Sequence, residues 1–130
     1  MKVHHYGLAT KNIEKSARTF LVLGYEKVTD VIHDPIQGVH LLFLRNENDH
    51  LIELVSPAGD ESPVGKILGK VGSSLYHICY EVEDLEVAID TLKKERFVVV
   101  VAPVTAVAFD GRKISFLYHP TVGLIELLER

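Results

Sequence analysis

The chain has 130 residues, 47% of them apolar and 25% charged, which is enough for a buried core and typical of a globular protein. Eighteen acidic residues against fourteen basic ones leave a net charge of −4 with no basic run, so nucleic acid is excluded as an expected partner. No apolar run approaches the roughly 20 residues of a bilayer span, Cys79 is the only cysteine, and the start Met1-Lys2-Val3-His4 has no signal-peptide core, so the expected location is cytoplasmic with no membrane role.

Residues 3–9 read as a strand, followed by a helix with Ile13, Ala17, Phe20 and Leu21 on one stripe, Asn12 as N-cap and Gly24 closing it. Strands are expected at about 25–32, 39–45 and 50–55, broken at Pro35-Ile36-Gln37-Gly38 and at the polar hairpin Asn46-Glu47-Asn48-Asp49. Ser62-Pro63 then has the N-cap and N1 arrangement of a short helix running to about Lys70. The order repeats: a strand at 75–82, a helix from Asp84 with Leu85, Ala88, Ile89 and Leu92, and strands near 97–102, 112–118 and 124–129. The break at 103–111 reads as a surface loop, wide enough to act as a flap over a cleft. The predicted class is α+β, one domain of two βαβββ modules at about 3–56 and 75–130, joined by a linker with a short helix at about 57–74.

The two modules are copies. Leu51-Ile52-Glu53-Leu54 returns as Leu124-Ile125-Glu126-Leu127, and each module opens with a histidine, His5 or His77. At an offset of 72, Asn12 meets Asp84, Ile13 meets Leu85, Thr19 meets Thr91 and Tyr25 meets Phe97; after one inserted residue, Gly38 meets Gly111, Phe43 meets Phe116 and Leu44 meets Leu117.

Strand alternation puts His5 on the face of Gly7 and Ala9, and His77 on the face of Cys79, away from the bulkier residues that should meet the helices. The same rule sets Glu53 and Glu126 opposite the helix-facing Ile and Leu on either side of them. A lone buried carboxylate costs several kcal/mol or takes up a proton. Two readings satisfy the four residues. One divalent cation could be shared by His5, Glu53, His77 and Glu126, or two His–Glu ion pairs could join the modules without metal; matched positions in both copies favour the cation. Mixed nitrogen and oxygen donors suit Co, Ni, Mn, Fe or Zn. His4 points to the other face, His33, His40, His50 and His119 lie near strand ends, Glu81 shares the face of His77, and Cys79 reads as a small space-filler.

With these residues the chain resembles the vicinal oxygen chelate superfamily over its whole length, which implies paired βαβββ modules whose sheets curl around a metal. The resemblance implies a ligand set of His5, Glu53, His77 and Glu126, like the His/Glu/His/Glu set of bacterial glyoxalase I. Within the superfamily, the segments Asp60-Glu61-Ser62-Pro63, Tyr76-His77-Ile78-Cys79-Tyr80-Glu81-Val82-Glu83-Asp84 and Gly111-Arg112-Lys113-Ile114-Ser115-Phe116-Leu117 most resemble methylmalonyl-CoA epimerases. Ala9 and Pro57 stand where bacterial glyoxalase I has the Arg and Asn it uses for glutathione. Ile36 stands where the epimerases have a second basic Glu; His33, Asp34, Gln37 and His40 are its neighbours.

The resemblance implies a metal-dependent enzyme that moves a proton α to a carbonyl, with Glu126 as base and a thioester or hemithioacetal as substrate. Lys66, Lys70, Arg112 and Lys113 are available for acyl-carrier phosphates, and a homodimer is expected. The alternatives are lactoylglutathione lyase activity and sequestration of a small molecule, as in bleomycin-resistance proteins.

Overall fold

A computed structural model describes residues 1–130. The elements in chain order are β1 (Lys2–Ala9), α1 (Ile13–Val22), β2 (Glu26–Lys27), β3 (Ile32–Asp34), β4 (Val39–Arg45), β5 (Leu51–Pro57), α2 (Pro63–Val71), β6 (Ser74–Val82), α3 (Leu85–Lys94), β7 (Val98–Thr105), β8 (Lys113–His119) and β9 (Gly123–Glu129). The class is α+β, as the sequence pattern implies. Two compact units contain these elements: His5–Tyr76, and Met1–His4 together with His77–Arg130.

In the first unit β5 runs parallel to β1 and antiparallel to β4, and β4 also pairs with β2 and β3. Leu42, Leu44, Ile52 and Leu54 pack with Ile13 and Ala17 of α1. Leu42, Leu44 and Leu54 are wholly buried, each worth about 1.5–3 kcal/mol. Helix α1 starts where Asn12 Oδ1 accepts the Lys15 N–H at 3.0 Å. Gly24, just past its end, has the left-handed φ of 89° that lets the chain turn out of the helix. Helix α2 starts at Ser62 and Pro63, as read, and packs near β5 within this unit.

The second unit repeats the plan. β6 is parallel to β9, β9 antiparallel to β8, and β8 antiparallel to β7. Leu117, Ile125 and Leu127 pack with Leu85, Ala88 and Ile89 of α3. Asp84 Oδ1 accepts the Val87 N–H at 3.0 Å, the same capping distance as in the first copy, and Glu129 of β9 adds a second acceptor for the Leu85 N–H at 2.9 Å.

Three local expectations are corrected. The strand anticipated at 25–32 is two short pieces, because the Thr29 hydroxyl takes the Phe43 N–H at 3.1 Å where a backbone carbonyl would otherwise sit. The loop anticipated at 103–111 begins late: β7 continues through Pro103 to Thr105, which an edge strand tolerates because its outer N–H groups have no ladder partner. A 3₁₀ turn, Val107–Phe109, then buries Phe109. Leu21, placed on the buried stripe of α1, is 49% exposed, since Ile13 and Ala17 with half-buried Phe20 already fill the contact.

Candidate metal centre

Each unit holds one histidine and one glutamate, built the same way. In the first, Gly7 of β1 and Phe43 of β4 both pair with Glu53 of β5. His5, two residues before Gly7, therefore shares the face of Glu53, and its Nε2 lies 3.7 Å from a Glu53 carboxylate oxygen. In the second, Cys79 of β6 and Phe116 of β8 both pair with Glu126 of β9, and His77 Nε2 lies 3.1 Å from the Glu126 carboxylate. The side chains are sealed from solvent: 0% exposed for both histidines, 7% for Glu53 and 3% for Glu126.

An aromatic ring backs each imidazole. Phe43 meets His5 edge to face with centroids 5.4 Å apart, and Phe116 meets His77 at 5.3 Å. These rings fix the imidazole planes. Phe43 and Phe116 are matched repeat positions that the repeat alone does not assign to the site; their register opposite Glu53 and Glu126 is the signal that does.

The donor chemistry fits a divalent ion. Within each unit a neutral imidazole nitrogen stands beside an anionic carboxylate, the mixed donors that a divalent ion accepts. Two ligand atoms about 2.1 Å from an ion and at right angles stand about 3.0 Å apart, close to the 3.1 Å of His77 and Glu126. The 3.7 Å of His5 and Glu53 is too long for a hydrogen bond and corresponds to a wider angle of about 120° at the same bond lengths.

The remaining candidates lie elsewhere or are occupied. His4 is half-buried and packs edge-on to Phe109. Glu81, next to the end of β6, lies beside Arg130, whose Nε is 3.7 Å away and which also pairs with Glu83. His119 Nδ1 accepts from the Thr121 backbone N–H at 3.1 Å and contacts the Thr121 hydroxyl at 2.8 Å, while His50 is exposed. Lys66, Lys70 and Lys113 are exposed, and the Arg112 guanidinium stacks 5.7 Å from the Phe109 ring centre. Cys79 is buried beside its strand partner Glu126.

Around Ile36, itself 57% exposed, no side chain is poised as a second base. His40 shares the face of Leu42 and Leu44, which pack against α1, and His33 is its cross-strand partner, so both lie on the sheet face opposite Glu53. The Asp34 carboxylate is wholly buried and accepts the Ile36 and Gln37 N–H groups at 3.0 and 3.1 Å and the Gln37 side-chain amide at 2.8 Å. That residue holds the turn together.

Comparison with known proteins gives a consistent picture. A family model described as the Glyoxalase/Bleomycin resistance protein/Dioxygenase superfamily matches residues 4–116. The chain is 32% identical to "Methylmalonyl-CoA epimerase, mitochondrial" of Dictyostelium discoideum, over 99% of this chain and 78% of that protein. It is 33% identical to "Ethylmalonyl-CoA/methylmalonyl-CoA epimerase" of Cereibacter sphaeroides, over 92% of this chain and 88% of that protein. The crystal structure of methylmalonyl-CoA epimerase from Mycobacterium tuberculosis superposes with a TM-score of 0.84 at 23% identity, covering 98% of this chain and 87% of that one, which establishes a shared fold.

Proposed function

The chain belongs to the glyoxalase/bleomycin resistance protein/dioxygenase superfamily, and we propose that it is a divalent-metal-dependent, epimerase-like enzyme moving the proton α to the carbonyl of a CoA thioester. The duplicated, solvent-sealed His–Glu pair carries this reading, and His5, Glu53, His77 and Glu126 are the proposed ligands of one ion. A bound divalent ion supplies Lewis-acid stabilisation of the negative charge that develops on the substrate carbonyl oxygen, worth several kcal/mol.

The protein's side chains do the rest. Glu126 takes the α-proton, a role that contributes about 10²–10⁴-fold in rate. His77, held by Phe116, fixes the carboxylate's position, and the sealed surroundings keep bulk water from the carbanionic carbon. CoA-thioester substrates are favoured by the names of the relatives, and Ala9 and Pro57 offer no charged or amide contact for the glutathione of a lactoylglutathione lyase.

The test is α-proton exchange: protein loaded with Co, Ni, Mn, Fe or Zn is incubated in deuterated water with methylmalonyl-CoA, ethylmalonyl-CoA and the hemithioacetal of glutathione. Exchange into a thioester supports the proposal. Exchange into the hemithioacetal alone would reassign the activity, and no exchange into any of them, with metal bound, would favour sequestration.

A further inference from the structure

The sheet of the first unit carries a second pair of imidazoles that proton transfer at Glu126 does not use. On antiparallel β3 and β4, His33 stands directly opposite His40, with ring centres 4.8 Å apart and planes tilted by 34°. His33 is exposed and His40 half-buried, and neither ring takes part in any hydrogen bond or ion pair of the protein. No ring nitrogen of the pair is thus committed to another group of the protein. The pair lies on the face of Leu42 and Leu44, and His5 and Glu53 lie on the other, so the two sets of ligands are separated by the sheet itself.

We propose that His33 and His40 form a two-imidazole site for a transition ion that prefers nitrogen donors, Cu(II), Ni(II) or Zn(II), with its other positions held by water. The ring separation fits. An ion about 2.1 Å from an imidazole nitrogen lies about 3.2 Å from that ring's centre, so two centres 4.8 Å apart subtend about 97° at an ion that one nitrogen of each ring faces. That angle is close to the right angle between neighbouring positions of a square-planar or octahedral ion.

The site is also held in advance of binding. Asp34, wholly buried next to His33, fixes the turn between β3 and β4 through the Ile36 and Gln37 N–H groups, and Gly38 completes it with a left-handed φ of 68°. The register that sets His33 against His40 thus does not depend on the ion. Little ordering cost remains for binding, which favours chelation over capture by one loose surface histidine.

Copper(II) titration of the full chain, followed by the ring resonances of isotopically labelled histidines, tests the site. One equivalent is expected to act on His5 and His77, and a further equivalent to broaden His33 and His40 together. His33→Ala and His40→Ala should each weaken the further equivalent by about tenfold or more, the effect of losing a tethered second donor. His40→Asn replaces the alanine variant if the latter melts lower without copper. The proposal is overturned if either single variant binds the further equivalent as tightly as the unsubstituted protein, which is the behaviour of an adventitious ion only. It is also overturned if the broadening falls on His50 or His119 instead. The result is independent of the central ligands, so exchange activity could fail while this site stands, or the reverse.

Discussion

Replacing Glu126 by Gln removes a proton acceptor and one negative charge while leaving an oxygen donor in place. Gln has the same shape, and it keeps a side-chain oxygen that can face His77 across the present 3.1 Å. The position is only 3% exposed, so bulk water cannot stand in as the base. The loss should therefore be the full contribution of a positioned general base, about 10²–10⁴-fold in exchange rate, or about 2.7–5.4 kcal/mol of barrier. Glu53→Gln is the control, because it makes the same chemical change at the matched position of the other copy, 3.7 Å from His5. Compared at equal metal occupancy by deuterium incorporation into the thioester, the Glu53 variant should lose markedly less. Near-normal exchange in the Glu126 variant would refute the assignment of the base. If both variants were inert with metal bound, a scheme in which both carboxylates move protons would replace it.

Three further outcomes are expected. Because the turn at Ile36 carries no free ionisable group on the face of Glu53, α-deuteration should outrun inversion of a single thioester enantiomer; equal rates by chiral chromatography and mass spectrometry would show a second base in action. Arg96 holds a left-handed φ of 69° at the position where Gly24 stands in the first copy, so Arg96→Gly should raise stability by about 0.5–1 kcal/mol in urea unfolding; an unchanged or lower midpoint would contradict this. β7 ends its sheet with Val98 and Val100 more than half exposed, an edge that self-association would cover, and light scattering should give a dimer at micromolar concentration; a mass near 14.5 kDa would argue against it.

Much of this architecture was legible because the chain states it twice. Asn12 and Asp84 cap their helices at matched positions, and the Leu-Ile-Glu-Leu segments fix which side of each sheet is apolar, so His5, Glu53, His77 and Glu126 could be assigned to faces by alternation alone. What escaped depends on partners far along the chain. The Thr29 hydroxyl bonds to Phe43, 14 residues away, and splits an otherwise plausible strand. Glu129 caps α3 from 44 residues away, and nothing local to either residue announces it. Pro103 reads as a strand breaker until β7 is known to be an edge. The pairing of His33 with His40 likewise follows from a register that the short β3 strand gives no means of reading in advance.

The central claim, one ion held by four ligands drawn equally from two copies of a module, is tested most directly by an anomalous-difference map from crystals of the protein loaded with Co(II). The account predicts a peak within about 2.0–2.2 Å of ring nitrogens of both His5 and His77 and of carboxylate oxygens of both Glu53 and Glu126. Absence of a peak there in metal-saturated crystals, or a peak bonded to the ligands of one module alone, would contradict it.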